Sequence, residues 1–360
     1  MQKKKLLLIS PSQFGYLTDY YYYCKYLKEE YLITVLCFDE GLKKVSLCDV
    51  QIKYVPLAGN RITRYLRWLK YVYLEISQSN YDIVFSYSFK FCFLLKLLSA
   101  KKQIVLDVRT GSVKENPLIN WFQNWQLRFE SYFFDHITII SRGLIKHLNL
   151  NPKKCHWLPL GAEKLNNSNC GYNSMKLLYV GTLNHRKLHE TVLGFSMFHK
   201  KYGVDIACTY NIFGFGSEIE ENLLRETIND LNLNAIVKFH GRKNLHEIHD
   251  YYRESNIGIC YIPITPYFDF QPPTKTFEYI LAGMVCIGTA TFENSNLLTE
   301  ENGILCNDSS SSFCNALVKY YHNRNNYTYS SVVNSLANYT WDRIINTNLK
   351  PYLNMLISDA

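Results

Sequence analysis

The 360 residues are informative first for what they lack. No apolar run reaches the roughly 18 uninterrupted residues of a membrane-spanning helix. The basic start, Met1-Gln2-Lys3-Lys4-Lys5, leads only into Leu6–Ser10, which is shorter than a signal-peptide core and reads as a first strand. Cysteine is present, but its number, 11, is odd and no Cys-x-x-Cys pair occurs. Several cysteines sit in strand-like runs, so buried thiols in a reducing cytoplasm are expected, not disulfides or zinc ligands. The histidines form no ligand set. His185 and His189 are four apart, but Glu190 follows them instead of standing between them as in His-Glu-x-x-His, so no metal is expected. A Gly-x-Ser-x-Gly elbow, a Walker lysine loop and any RNA- or DNA-binding signature are also missing. There is no internal repeat, and low complexity is confined to Ser309–Ser312.

What is present describes a globular chain, 47% apolar and long enough for two full-sized cores. Its formal charge of +8 favours an anionic partner: phosphate, nucleic acid or an acidic membrane face. Short β-rich runs alternate with helix-length segments. The first series is Lys5–Ser10, Leu32–Phe38, Gln51–Pro56, Asp82–Ser86, Gln103–Asp107 and His136–Ser141. The second is Lys176–Val180, Ile206–Phe213, Ile236–His240, Ile257–Tyr261 and Val285–Thr289. Such alternation implies parallel sheets of βαβ units, and two series imply two Rossmann-like domains with ligands at the carboxyl ends of strands. The polar, turn-rich stretch 166–174 reads as the linker, giving domains over 1–165 and 175–340. An amphipathic segment from Trp341 to Leu356 is expected to pack back on the first domain, as part of a helix spanning 341–358.

The most informative stretch is Pro272-Pro273-Thr274-Lys275-Thr276-Phe277-Glu278-Tyr279, closed by Gly283 and followed by an apolar strand. Two prolines suit the first turn of a helix, and Lys275 and Glu278 then share one face. The helix mouth, Lys275 and its free N–H groups suit phosphate oxygens, and Glu278 can accept from ribose hydroxyls. Lys176–Gly181 is a strand ending in glycine, followed by Thr182, Arg186 and Lys187. Alone this is an ordinary turn with a solvated basic pair; beside a second anion site it reads as functional. Gly214-Phe215-Gly216 lacks the third glycine of a dinucleotide fingerprint and is as readily a tight turn. His240-Gly241-Arg242 borders a base pocket or is a basic turn. Gly15 follows the first strand and permits close approach of a phosphate or sugar, or is a plain turn. Asp107 and Arg109 stand at another strand's carboxyl end, where polar groups usually face a cleft; the alternative is a local ion pair. Arg61, Arg64, Arg67, Lys70, Trp68 and Tyr71 interleave on a helix over Arg61–Ile76 and suit an anionic membrane surface, with a solvated face as the plainer reading. The next helix, Phe89–Leu98, reads as core more readily than as a membrane anchor.

These motifs, in this order, resemble the donor domain of retaining glycosyltransferases of family 4, which have the GT-B fold of two Rossmann-like domains facing across a cleft. The likeness covers most of the chain. It is carried by Gly181 to Lys187, Gly214–Glu218, Phe239-His240-Gly241, the Lys275–Glu278 helix and Glu300-Glu301-Asn302-Gly303, and upstream by Asp135–Ser141 and Leu158–Glu163. The resemblance implies that Lys187 grips the donor diphosphate, that Glu278 binds ribose as the second glutamate of a Glu-x7-Glu motif, and that Gly15 is the loop glycine of the first domain. It implies a catalytic role near Arg109. Two departures touch the sugar contacts: Phe270 replaces the first glutamate, with Asp269 one position away, and Thr182 replaces an arginine for which Arg186 is a substitute. The implied activity is metal-independent hexosyl transfer, with retention, from a UDP- or GDP-sugar to a glycan or lipid-linked acceptor. The implied setting is lipopolysaccharide, capsule or exopolysaccharide assembly, peripheral at the anionic inner membrane face, with no nucleic acid involved. A sugar-nucleotide 2-epimerase would instead turn over donor without acceptor, a degenerate nucleotide-sugar-binding protein would bind without transfer, and a membrane scaffold would leave the site unused.

Overall fold

The computed structural model describes residues 3–99, 102–164 and 171–358. The chain divides into two compact units, Met1–Leu160 with Trp341–Ala360, and Gly161–Thr340. Residues 166–170 of the expected linker, with Cys170, lie outside the described residues, and 171–174 lead into the second unit.

The first unit holds a seven-stranded sheet in the order β3-β2-β1-β4-β5-β6-β7. The strands are β1 (Lys4–Ser10), β2 (Tyr31–Asp39), β3 (Val50–Pro56), β4 (Ile83–Tyr87), β5 (Ile104–Val108), β6 (His136–Ile139) and β7 (Cys155–Trp157). All pairings are parallel. Helices α1 (Thr18–Leu27), α2 (Arg61–Gln78), α3 (Phe93–Leu98), α4 (Pro117–Ser131) and α5 (Arg142–His147) make the connections. A sheet covered on both faces needs strands apolar throughout, and Leu6–Ile9 and Ile104–Leu106 are all buried. Asn60 and Asn116 start α2 and α4 by accepting N–H bonds with their side chains, and Pro117 fits the first turn of α4.

The second unit repeats the design with six parallel strands in the order β10-β9-β8-β11-β12-β13. They are β8 (Met175–Thr182), β9 (Cys208–Phe215), β10 (Val237–Phe239), β11 (Ile257–Cys260), β12 (Val285–Thr289) and β13 (Gly303–Cys306). Its helices are α6 (His189–Tyr202), α7 (Glu218–Asp230), α8 (Leu245–Glu254), α9 (Thr274–Leu281), α10 (Phe292–Leu297), α11 (Ser310–Asn323) and α12 (Tyr329–Ser335). The strand order reverses beside β1 in one sheet and beside β8 in the other. Such points open a crevice at the strands' carboxyl ends.

The chain then returns to the first unit through α13 (Trp341–Ile344), a π-helical turn at Ile345–Leu349 and α14 (Lys350–Ser358). Trp341 stacks on Tyr22 with ring centroids 5.3 Å apart, and Tyr31 donates to Asn354 at 2.6 Å. The expected single helix is therefore three segments in series. The expected Phe89–Leu98 helix is shorter too: Phe91 has φ +57°, which delays the helix to Phe93. The described cysteines are free thiols, mostly buried, but Cys48 is exposed. No helix among the described residues is long and apolar enough to cross a membrane.

Candidate functional site

The second unit gathers most of the expected donor residues at its switch point. Gly181, the last residue but one of β8, has φ +152°, and a Cβ placed there would lie 2.3 Å from Lys275 Nζ. A Cβ on Gly214, at the end of β9, would meet the Gly181 carbonyl oxygen at 1.9 Å. Gly214 N–H donates to the Gly241 carbonyl at 2.9 Å, and Gly241 itself turns at φ +70°. Gly181 and Gly214 bring the ends of β8 and β9 closer together than a side chain allows, whereas Gly241 serves the turn after β10, where a Cβ would meet nothing.

Into that space comes the first turn of α9. Pro273 precedes it without offering a side-chain cap, and among the described residues no side-chain acceptor caps the leading N–H groups of the helix. Lys275 is half-buried, with its ammonium 4.2 Å above the Tyr179 ring and donating to the Tyr179 hydroxyl at 3.1 Å. Lys275 stands at the helix mouth, as its sequence position implies, but an aromatic ring holds it down. Loss of hydration lowers its pKa to about 8, with Arg186 adding to the fall while Cys260 and Glu278 oppose it. The thiol of Cys260 lies among Cys286, Thr276 and Asn294. The hydrogen bond from Cys286, with Lys275, draws its pKa down against the effect of burial. Glu278, three residues on from Lys275, is hydrogen-bonded to Tyr252. Burial pushes its carboxyl up, and Lys275 and Tyr252 work the other way.

Arg186 completes the cationic group. Its guanidinium lies 4.2 Å over the Phe268 ring, and its Nε and Nη1 are buried with no hydrogen-bond partner among the described residues. Two neighbouring cations, one with bare buried donors, form a cradle that an anion would complete. The loop is held by local bonds. The Thr182 carbonyl accepts from Tyr179 at 2.5 Å, Asn184 Oδ1 accepts from Ser217 N–H at 2.7 Å and Glu220 accepts from His185 N–H at 2.8 Å. His185 and Lys187 both take left-handed conformations, which delays α6 to His189 and leaves Lys187 exposed. Arg242 covers the Phe215 ring at 4.7 Å.

Asp269 has another task. Its Oδ1 accepts from Phe292 N–H at 2.6 Å and its carbonyl accepts from Glu293 N–H, so it holds the start of α10. Phe270 packs on Phe292 with ring centroids 5.3 Å apart.

Gly15, Asp107 and Arg109 belong to the first unit. A Cβ on Gly15, which has φ +92°, would meet Val45 at 2.6 Å. Arg109 is buried and pairs with Asp19, not Asp107: its Nε donates to Asp19 at 2.6 Å and its Nη1 to the Leu158 carbonyl at 2.7 Å. Asp107 accepts from Thr138 at 2.7 Å, and burial raises its carboxyl to about 7 against the pull of Arg109. On α2, Trp68 is buried beside Phe38, and Arg64 and Arg67 donate to loop carbonyls of Gly59, Pro56 and Ala58. That helix is less free than its sequence suggests.

Tyr179, Phe268, Tyr252 and Cys260 carry the Lys275–Arg186–Glu278 cluster and escaped the sequence reading. Tyr179 had one signal, a polar-tipped aromatic two residues before the strand's terminal glycine; the others had none.

No family model matches the chain, and no curated sequence does. Solved structures do match. A glycosyltransferase from Rickettsia africae superposes with a TM-score of 0.74 at 13% identity, over 100% of both chains. Anabaena HepE in complex with UDP and glucose gives 0.73 at 13%, over 98% of this chain and 99% of that one. The lipopolysaccharide outer core galactosyltransferase WaaB gives 0.70 at 12%, over 97% and 99%. At such identities the likeness establishes the fold, which is GT-B: two Rossmann-like domains with parallel sheets.

Proposed function

We propose that this chain is a retaining hexosyltransferase, similar to glycosyltransferase family 4, that uses a nucleoside diphosphate sugar. The observation that carries the reading is the pair of neighbouring cations, Arg186 and Lys275, where Arg186 has buried donors with no partner among the described residues and Gly181 leaves the space that the Lys275 ammonium occupies. A diphosphate fills the need for charge. The amides of α9 add to it, Lys187 reaches it from the exposed side of the loop, and Glu278 takes the ribose. Support comes from fold neighbours whose structures hold UDP and glucose.

In the reaction, the bond between the anomeric carbon and the diphosphate oxygen breaks as the acceptor oxygen bonds to that carbon on the same face. The acceptor proton passes to the leaving phosphate, giving a glycoside and a nucleoside diphosphate. Lys275, Arg186 and the helix amides stabilise the charge that develops on the leaving group, without a metal. The acceptor is a glycan or a lipid-linked glycan at the anionic inner face of a membrane, in surface-polysaccharide assembly. The galactosyltransferase neighbour and the basic α2 helix support that setting.

Protection against thermal unfolding by UDP-glucose, UDP-galactose and GDP-mannose tests the donor half. Protection by none of them overturns it. A second reading rests on Asp269, whose carboxylate is taken up at α10 while Phe270 stands beside it. A protein that binds nucleotide sugar but has lost transfer would show protection and no glycoside product with any acceptor from a membrane extract.

A further inference from the structure

Helix α4 is inside out. Its inward stripe is polar: Glu130, 2% exposed, accepts from Phe91 N–H at 2.8 Å, Cys92 N–H at 2.7 Å and Gln126 at 2.7 Å. Its outward stripe is Leu118, Trp121, Phe122, Trp125 and Phe129, continued by Tyr132, at steps of three and four that keep one face. These side chains are 45% to 82% exposed. A soluble helix places these two classes the other way round.

The stripe does not end at α4. Ring contacts run from Phe122 to Trp125, to Phe129, to Phe93 of α3, to Phe91 and on to Tyr65 of α2. On α2, Ile62 and Leu66 are 71% and 60% exposed. Cations border this surface: Arg61, Arg64 and Lys70 on α2, Lys90 before α3, and Arg128 on α4, all exposed. The only acid of α4, Glu130, is the residue turned inward. Exposed apolar area of this extent marks a contact surface. Tryptophan and tyrosine ringed by cations suit the headgroup layer of an anionic bilayer, where the rings sit between apolar and wet zones and the cations meet lipid phosphate. A second copy of the chain fits less well, because a two-fold contact would set this cationic rim against itself.

We propose that α4, with the Phe91–Phe93 turn beside it, is the element that docks this protein on an anionic membrane. The proposal rests on the membrane setting given above and assigns insertion to the aromatic stripe of α4, with the arginines of α2 on the cationic rim that meets lipid phosphate. Full-length protein is sedimented with vesicles of phosphatidylcholine alone and of phosphatidylcholine with phosphatidylglycerol, and tryptophan quenching by brominated lipid is recorded. Binding to the mixed vesicles with quenching is expected. Trp121→Ser with Trp125→Ser should lower partitioning by about tenfold or more, with the melting temperature and its rise with UDP-glucose unchanged. Unaltered sedimentation of the double variant overturns the proposal, as does a wild type that binds neither vesicle. A dimer seen by light scattering that the double variant turns into monomer also overturns it, in favour of a self-contact. If vesicle binding follows the double variant while no nucleotide sugar protects the wild type, the docking assignment stands and the donor reading fails.

Discussion

Gly181 and Lys275 share one volume: the Cβ that any other residue would carry at 181 falls 2.3 Å from the lysine's Nζ and 2.4 Å from its Cε. The lysine therefore lies over Tyr179 only because position 181 has no side chain. Gly181→Ala must move Lys275 off the ring and strain a backbone at φ +152°, a cost of about 1–3 kcal/mol. Urea denaturation should show that loss, and calorimetry should show UDP affinity down by about tenfold, or about 1.4 kcal/mol. Unchanged affinity in the folded variant would detach Lys275 from the nucleotide.

Arg186 and Lys187 are neighbours with opposite surroundings. Arg186 keeps buried donors without partners among the described residues, whereas Lys187 is exposed. If both grip the diphosphate, Arg186→Ala should weaken UDP binding by about 1.5–3 kcal/mol, the usual worth of a hydrogen bond to a charged group. Lys187→Ala should cost less, since solvent screens its charge. A larger loss at Lys187 would reverse the assignment, and no loss at Lys187 would remove it from the site.

The site was legible where its chemistry is local in sequence. Gly181, Gly214, Gly241, Lys275 and Glu278 mark themselves by residue type at strand ends and on one helix turn. Tyr179 does not, because its partner Lys275 lies 96 positions away and the pairing exists only after the sheet forms. The Asp269 carboxylate looked free until α10 supplied the Phe292 N–H that occupies it. Strands followed the same logic. Central ones such as Val285–Thr289 are continuous apolar runs, whereas the short edges Cys155–Trp157 and Gly303–Cys306 carry too little pattern to separate from loop. The stretch forming α4 drew no reading because hydrophobic periodicity is taken to point inward, and here it points out.

Lys275 also makes the site sensitive to pH. A lysine lowered to about 8 when folded holds its proton less well than in the unfolded chain. Its contribution to stability therefore rises with pH from about 8 toward the ordinary lysine value, since the unfolded state binds more protons in that window. Anion binding runs the other way: UDP needs the ammonium, so affinity should hold below about 8 and fall above it with the slope of a single proton. Cys260 titrates nearby, so Cys260→Ala should be measured alongside. Calorimetric UDP affinities from neutral to alkaline pH check this, and a profile that Lys275→Met leaves unchanged would show that another group is responsible.

The first unit's charged pair gives the opposite kind of prediction. Arg109 and Asp19 side chains are 3% and 8% exposed and meet at 2.6 Å. Arg109→Met would leave Asp19 buried without its counter-charge, which costs about 3–5 kcal/mol, and adding Asp19→Leu should recover much of that loss. Asp107 supplies a second readout. Its carboxyl, raised to about 7 by burial, binds a proton in the folded state that the unfolded chain releases near its ordinary value of 3.8. Stability from this group is present at low pH and lost as pH rises through about 7, so Asp107→Asn should flatten the decline. Urea midpoints of these variants across that range check both effects. If Arg109→Met instead keeps its midpoint and loses only glycosyl transfer, Arg109 belongs to the catalytic machinery and its pairing with Asp19 serves to aim it.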